Sequence, residues 1–300
     1  MMNKVLPAPR DVTQLCLAWM ADVAELIKLR LTVMVLATSF LGFYLGSSGR
    51  MDGWLLLHTM AGTALVAAGS AALNQLLERD ADGRMRRTAD RPLPAGRMGP
   101  DEGLVLGFTM SVGGLAWLAW GVNLLAALVA ALTLGIYLFI YTPMKRVSSL
   151  NTPVGAVAGA LPPLLGWVAA QGSVSLMGWT LFAILFLWQM PHFMAIAWLY
   201  REDYARAGFR MISLGDEDGK LTAGQGLVYA VALVPATLVP SVVGVVGPAY
   251  FAAALLLGLG FGWLAFLFFL RPSERSARLL FLGSILYLPL LMVSLGLGLR

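Results

Sequence analysis

Residues 54–94 read WLLLHTMAGTALVAAGSAALNQLLERDADGRMRRTADRPLP. Residues 54–77 hold no Asp, Glu, Lys or Arg, whereas residues 78–91 hold five arginines and four acids. As a helix, the apolar part is long enough to cross a hydrocarbon core roughly 30 Å thick. The charged part cannot enter that core, so the stretch reads as a membrane span that ends at a charged mouth. Pro92 and Pro94 stop any helix there and turn the chain back.

Further apolar runs lie at 31–48, 103–120, 123–141, 152–171, 177–200, 224–244, 248–270 and 279–298, giving nine spans with the first. Composition agrees: 59% of the 300 residues are hydrophobic and 12% are charged, with a mean hydropathy of +0.77. A soluble domain carries about a quarter charged residues. The expected fold class is all-α, a polytopic membrane helical bundle of nine transmembrane helices, with 1–300 forming a single domain.

Basic residues test this partition. With the N-terminus inside, 19 of the 21 Lys and Arg fall in inside segments, and only Arg50 and Arg300 fall outside. A wrong span count would scramble that alternation. The expectation is an N-terminus in the cytoplasm and a C-terminus in the periplasm. Residues 1–30 form a cytoplasmic or interfacial lead-in, and the two longest loops, 78–102 and 201–223, are cytoplasmic. The net charge of +5 and pI near 9.6 then reflect topology, and the expected partner is the lipid bilayer with no nucleic acid. The lone Cys16 forms no intrachain disulfide. The polar leader runs to Arg30 without a small-x-small cleavage site, so it reads as retained. Within Asp11–Arg30, Leu15, Trp19, Val23 and Leu26 recur at helical spacing, as in an interfacial helix.

Asn74, Glu78 and Asp82 are spaced by four and share one helix face, with about 6 Å of rise per step. They form a ladder of hard oxygen donors running from inside the bundle to its mouth. Mg²⁺ prefers such ligands, often one or two carboxylates completed by phosphate oxygens. Asp80 points off the ladder if the helix continues. The crowd of arginines suits a pyrophosphate, whose oxygens guanidinium groups grip bidentately. The plainer alternative is topogenic arginines balanced by surface acids. Span four ends in Lys145-Arg146, two further phosphate contacts or simply positive-inside residues. Span five holds Gly155, Gly159 and Pro162-Pro163; the small residues allow close helix approach, and the prolines are expected to break the span. In span six, Pro191 is expected to kink the helix. His192 lies about 12 Å from Tyr200 along the helical rise, and an ionisable group inside a span marks a functional site or a hydrogen-bonded structural one. Asp203 closes that helix at the mouth, facing the ladder, and Glu202 points elsewhere. Asp216, Glu217 and Asp218 read as a solvated turn.

At these residues the chain resembles the membrane prenyltransferase superfamily that includes the 4-hydroxybenzoate polyprenyltransferases. Asn74, Glu78 and Asp82 match its first acidic motif. Within it, four segments are similar to the protoheme IX farnesyltransferase (haem O synthase) family: Asn74–Asp80 with Met85–Pro94, Tyr141–Arg146, Gly159–Trp167, and Leu187–Phe193 with Asp203-Tyr204-x-x-Ala207-Gly208. Pro191-His192-Phe193 and the Asp-Tyr-x-x-Ala-Gly segment separate this family from the quinone prenyltransferases. Two departures stand out. The superfamily's second motif is Asp-x3-Asp, yet Asp203 is followed four residues later by Ala207. Position 210 is Arg where the family carries Pro.

The resemblance implies that farnesyl diphosphate, with Mg²⁺, alkylates a vinyl group of haem B, and that water then adds to give haem O. Haem B is a substrate and Mg²⁺ the cofactor. Metal ligands would be Asn74, Glu78, Asp82 and Asp203, which are also the catalytic set. Arg87, Arg91, Lys145 and Arg146 would bind the diphosphate. Trp188, Phe193 and Tyr200 would line the prenyl-cation pocket. His192 would contact haem, as iron ligand or propionate partner. The resemblance places the protein in the bacterial cell inner membrane, upstream of haem A synthase or terminal oxidase assembly. Rival readings are a quinone precursor or chlorin acceptor, against which Pro191-His192-Phe193 argues, and a transporter. A transporter would place its binding groups near the midplane, whereas these charges gather at one mouth.

Overall fold

A computed structural model describes residues 12–47 and 49–298. The expectations for residues 1–11 and for Arg300 lie outside the described residues. Among those described, all regular structure is helical, and nine helices are long and apolar enough to cross a membrane. They are α2 (Leu29–Gly46), α3 (Gly53–Asp82), α4 (Pro100–Gly121), α5 (Leu124–Met144), α6 (Asn151–Gln171), α7 (Leu176–Leu199), α9 (Lys220–Val242), α10 (Pro248–Leu270) and α11 (Glu274–Leu297). The shorter helical elements are α1 (Val12–Leu26), α8 (Arg201–Ala207) and a 3-10 turn at Ile212–Leu214.

Polar residues set the ends. The Asp52 carboxylate accepts from Trp54 and Leu55 N–H at 2.9 and 3.1 Å and starts α3, satisfying donors that have no partner within the helix. Asn123 does the same for Ala126 at the start of α5, and its Nδ2 donates across to Val168 O on α6. Ser273 caps α11. Successive spans pack as neighbours, α11 lies against α7 and touches α2, and the strongly buried α6 packs against α2, α3, α5 and α7.

The expected break at Pro162-Pro163 does not occur: α6 runs unbroken from Asn151 to Gln171. Packing by neighbouring helices lets spans keep prolines, and here the proline turn is buried against α2, where Ser39 Oγ donates to Pro162 O at 3.0 Å. The contact requires very close backbones. A Cβ on Gly42 would sit 1.9 Å from Pro163 O, and one on Gly166 would sit 1.8 Å from Ser39 O. Small residues permit this approach of α2 to α6.

The amphipathic lead-in is α1, which stays largely exposed and buries Leu26. Gln75 Nε2 donates to Glu25 O and Leu26 O, and Arg97 pairs with Asp22 and Glu25. The chain then turns at Lys28, the one non-glycine among the described residues with positive φ (49°). The first span thus opens at Leu29 and not after Arg30.

Candidate functional site

The helix of α3 continues to Asp82, so the three rungs do share a face. All are buried: Asn74, Glu78 and Asp82 are 0%, 5% and 1% exposed. Asp80 points off the ladder into an exposed pair with Arg79.

Facing the ladder is the end of α5, where Ile136–Tyr141 form a π turn. Such turns often mark functional sites. Tyr137 Oη donates to Asn74 Oδ1 at 3.1 Å, and Asn74 Nδ2 donates to Thr142 Oγ1 at 3.0 Å. Thr142 Oγ1 donates to Tyr137 O at 2.7 Å, within the widened turn. One turn on, Lys145 Nζ lies 2.7 Å from Glu78 Oε1 and 4.4 Å from the centre of the Tyr141 ring. At the outer rung, Arg91 Nη1 lies 2.7 Å from Asp82 Oδ2. Thr88 Oγ1 donates to Asp82 O, which fixes the loop that carries Arg91.

The inner rung has a cation as well. Lys28 Nζ donates to Asn74 Oδ1 at 2.6 Å. Burial pushes its ammonium down to about 7, and the nearby Arg91 charge works in the same direction.

The donor set fits Mg²⁺. Asp82 Oδ1 is buried and has no hydrogen-bond partner, a costly state for a carboxylate oxygen unless a cation meets it. Among the described residues no three His, Cys, Asp or Glu side chains gather into a metal cluster. Two carboxylates and an amide match a site completed by substrate phosphate oxygens.

Asp203 is buried at the start of α8, with its carboxylate held by Arg206. Ala207 packs with Ala81, Met85 and Phe209, which seats α8 on the end of α3. Arg87 reaches none of the ladder carboxylates. Its guanidinium lies 4.9 Å from the Tyr200 ring centre and 4.8 Å from that of Tyr204, clamping the first loop to the second. Arg146 is exposed. The Arg210 N–H donates to Lys145 O at 2.6 Å, and Asn151 Nδ2 donates to Arg210 O at 2.8 Å. A proline at 210 would have no such donor. The supposed solvated turn is partly buried: Asp216 accepts from Leu221 and Thr222 N–H. Burial opposes its ionisation, yet those hydrogen bonds hold its carboxyl below the usual range.

The three aromatics assigned to the cation pocket do not converge. Tyr200 sits at the mouth on Arg87. Phe193 packs against the cluster of Ala156, Met190 and Met194. Trp188 stacks on His192 (centroids 5.4 Å, 22°) and donates from Nε1 to Ser284 O on α11.

Lys28, Tyr137 and Thr142 were missed by sequence reading. Tyr137, Tyr141 and Lys145 carried a usable signal, since they repeat the four-residue spacing of the ladder they face. Lys28 carried none.

A family model described as the UbiA prenyltransferase family matches residues 35–290. A protoheme IX farnesyltransferase of Solibacter usitatus is 46% identical over 282 residues, covering 91% of this chain and 96% of its own. The mitochondrial protoheme IX farnesyltransferase of Arabidopsis thaliana is 39% identical, covering 90% of this chain and 63% of its own. Among solved structures, a digeranylgeranylglyceryl phosphate synthase superposes with TM-score 0.79 at 16% identity, covering 93% of this chain and 98% of that one. A UbiA homologue from Archaeoglobus fulgidus bound to GPP and Mg²⁺ gives 0.65 at 14%, covering 91% and 99%. These last two speak to the fold.

Proposed function

The chain belongs to the UbiA prenyltransferase family, and from that premise we propose that it transfers farnesyl from farnesyl diphosphate to a vinyl group of haem B. It is a multi-pass membrane prenyltransferase, and its relatives at 39–46% identity are named protoheme IX farnesyltransferases. The C–O bond to the diphosphate breaks and pyrophosphate leaves. A C–C bond forms to the terminal vinyl carbon, and water captures the cation left on the inner carbon, releasing a proton and giving haem O.

The observation that carries the reading is the buried ladder in which each rung meets its own cation. Glu78 and Asp82, with Asn74, would hold Mg²⁺, and Asp203, paired with Arg206 on the second loop, would be a further ligand if freed from that pair. A Mg²⁺ held by these residues would offset charge on the departing diphosphate. Lys145 and Arg91 sit within 3 Å of the carboxylates and would turn to phosphate oxygens, with Arg87 and Arg146 supplying further charge from the rim. Tyr137 and Thr142 fix the Asn74 amide in one orientation.

The chain acts as one domain, with loops 78–102 and 201–223 carrying the chemistry. The charge asymmetry supports an N-terminus and active site on the cytoplasmic side of a bacterial inner membrane. Haem A synthase or a terminal oxidase would receive the product.

The test is to incubate the purified protein with haem B, farnesyl diphosphate and Mg²⁺ and to separate the haems by chromatography and mass. A more hydrophobic haem bearing farnesyl plus water is expected. A prenylated phenol formed from an added quinone precursor, with haem unchanged, would move the acceptor class.

A further inference from the structure

Lys28 stands where two helices join. Its amide donates to Glu25 O at 3.0 Å and ends α1, and its carbonyl accepts from Leu31 and Thr32 N–H at 2.8 and 3.0 Å and begins α2. Between them the residue takes φ 49° and ψ 55°, a left-handed conformation. Glycine adopts that conformation freely and asparagine readily, so the turn alone does not call for lysine. A side chain kept at a strained backbone position points to a use for the side chain.

Two adjacent residues of α3 hold this turn. Gln75 Nε2 fixes its backbone through Glu25 O and Leu26 O, at 2.9 and 2.7 Å. Asn74 takes the ammonium: Lys28 Nζ lies 2.6 Å from Asn74 Oδ1 and 3.4 Å from Tyr137 Oη. Leu26 is fully buried beside Ala72, which seats the turn on the helix that carries the ladder. A lysine that merely marked the inside of the membrane would reach outward to water. This one reaches inward to the deepest rung.

Lys28 differs from the other two cations of the site. Lys145 and Arg91 each contact a carboxylate at 2.7 Å, whereas Lys28 contacts a neutral amide and a phenol. It can turn to an anion without abandoning an acid. It is also the innermost of the three, since the rungs rise by about 6 Å each from Asp82 at the mouth to Asn74 inside. A farnesyl diphosphate lays its apolar chain toward the bundle interior and its terminal phosphate toward the mouth, because the charge is costly to bury. The inner phosphate, which carries the ester to the farnesyl carbon, then falls toward Lys28 and the outer one toward Arg91.

We propose that Lys28 is a catalytic residue, whose ammonium hydrogen-bonds the ester oxygen of the diphosphate and stabilises the negative charge that appears there as the C–O bond breaks. The electron pair of that bond stays on the oxygen, the farnesyl carbon leaves as a cation, and no proton is transferred. A donor aimed at charge that grows in the transition state lowers the barrier more than it tightens substrate binding. The inference rests on the prenyl-transfer reading above and holds for either class of acceptor.

The experiment uses the full-length protein in detergent. Single-turnover release of pyrophosphate is measured at saturating farnesyl diphosphate and Mg²⁺, with haem B and with a quinone precursor as acceptor. Equilibrium binding is measured with farnesyl thiolodiphosphate, whose ester position is sulfur and resists cleavage. Lys28→Met and Lys28→Gly should each slow release by about 10²–10³ while binding the analogue nearly as the wild type does. Added n-butylammonium, the excised side chain, should restore part of the rate in Lys28→Gly and none in Lys28→Met, whose own side chain fills the space. Lys28→Gly should also melt above the wild type, because glycine relieves the left-handed backbone, so its slow release does not come from misfolding. Release at the wild-type rate in Lys28→Gly would overturn the proposal. A rate loss matched by an equal loss of analogue affinity, with no rescue by the amine, would make Lys28 a binding contact and overturn it as well. A wild type that leaves farnesyl diphosphate intact with both acceptors would remove the prenyl-transfer reading and this inference together.

Discussion

The two charged loops at the mouth of the bundle differ in kind. On the first, α3 presents Asn74, Glu78 and Asp82 on one face, and each is met by a separate cation at 2.6–2.7 Å. On the second, Asp203 is held by a neighbour on its own short helix, and the position four residues on is a packed alanine. What joins the two is a guanidinium between two tyrosines and a backbone hydrogen bond from Arg210 to Lys145. The chemistry of charge is concentrated on one side, and the other side works as a fitted cover.

The largest expected effect tests that asymmetry directly. Glu78→Gln and Asp82→Asn should each lower turnover by about 10²–10³, with helical circular dichroism unchanged. Asp203→Asn should cost less, about tenfold in product formation; a loss equal to that of Asp82→Asn would break the comparison. Lys145→Ala strands a buried carboxylate, which typically costs about 3–5 kcal/mol of stability. Thermal melting in detergent should show that loss, and adding Glu78→Gln should recover part of it. Arg210→Pro removes one hydrogen-bond donor between the loops, worth about 1 kcal/mol, and should raise KM for farnesyl diphosphate while leaving metal-free stability nearly intact. The smallest effect concerns pH. The Lys28 ammonium is depressed to about 7 in the folded protein, so the unfolded chain binds its proton more tightly. Stability should therefore rise with pH from about 7 toward the ordinary lysine value, because folding releases that proton in this range and higher pH favours the release. Lys28→Met should flatten that rise in melting curves.

The spans were legible because apolar runs and basic residues alternate along the chain, and the ladder because four-residue spacing survives in an unbroken helix. Its partners were harder to see. Tyr137 and Thr142 reach Asn74 through a π turn inside an apolar run that reads as ordinary core. Lys28 enters the site through a left-handed residue that no Gly or Asn announces. Pro162-Pro163 suggested a break because the close packing that holds this turn in the helix comes from α2, a distant part of the chain. Arg87 and Tyr200 were each noticed, but their mutual contact depends on how two loops fold over each other, which periodicity does not encode.

The paired rungs have a consequence for the order of events. A divalent ion arriving alone would oust Lys145 and Arg91 and leave two positive charges idle at a low-dielectric mouth. A diphosphate arriving alone would draw those cations off and abandon two carboxylates. Only both together leave every charge matched. On the proposed metal–diphosphate reading, the site would therefore act as a coincidence gate, disfavouring either half of that unit and admitting the whole.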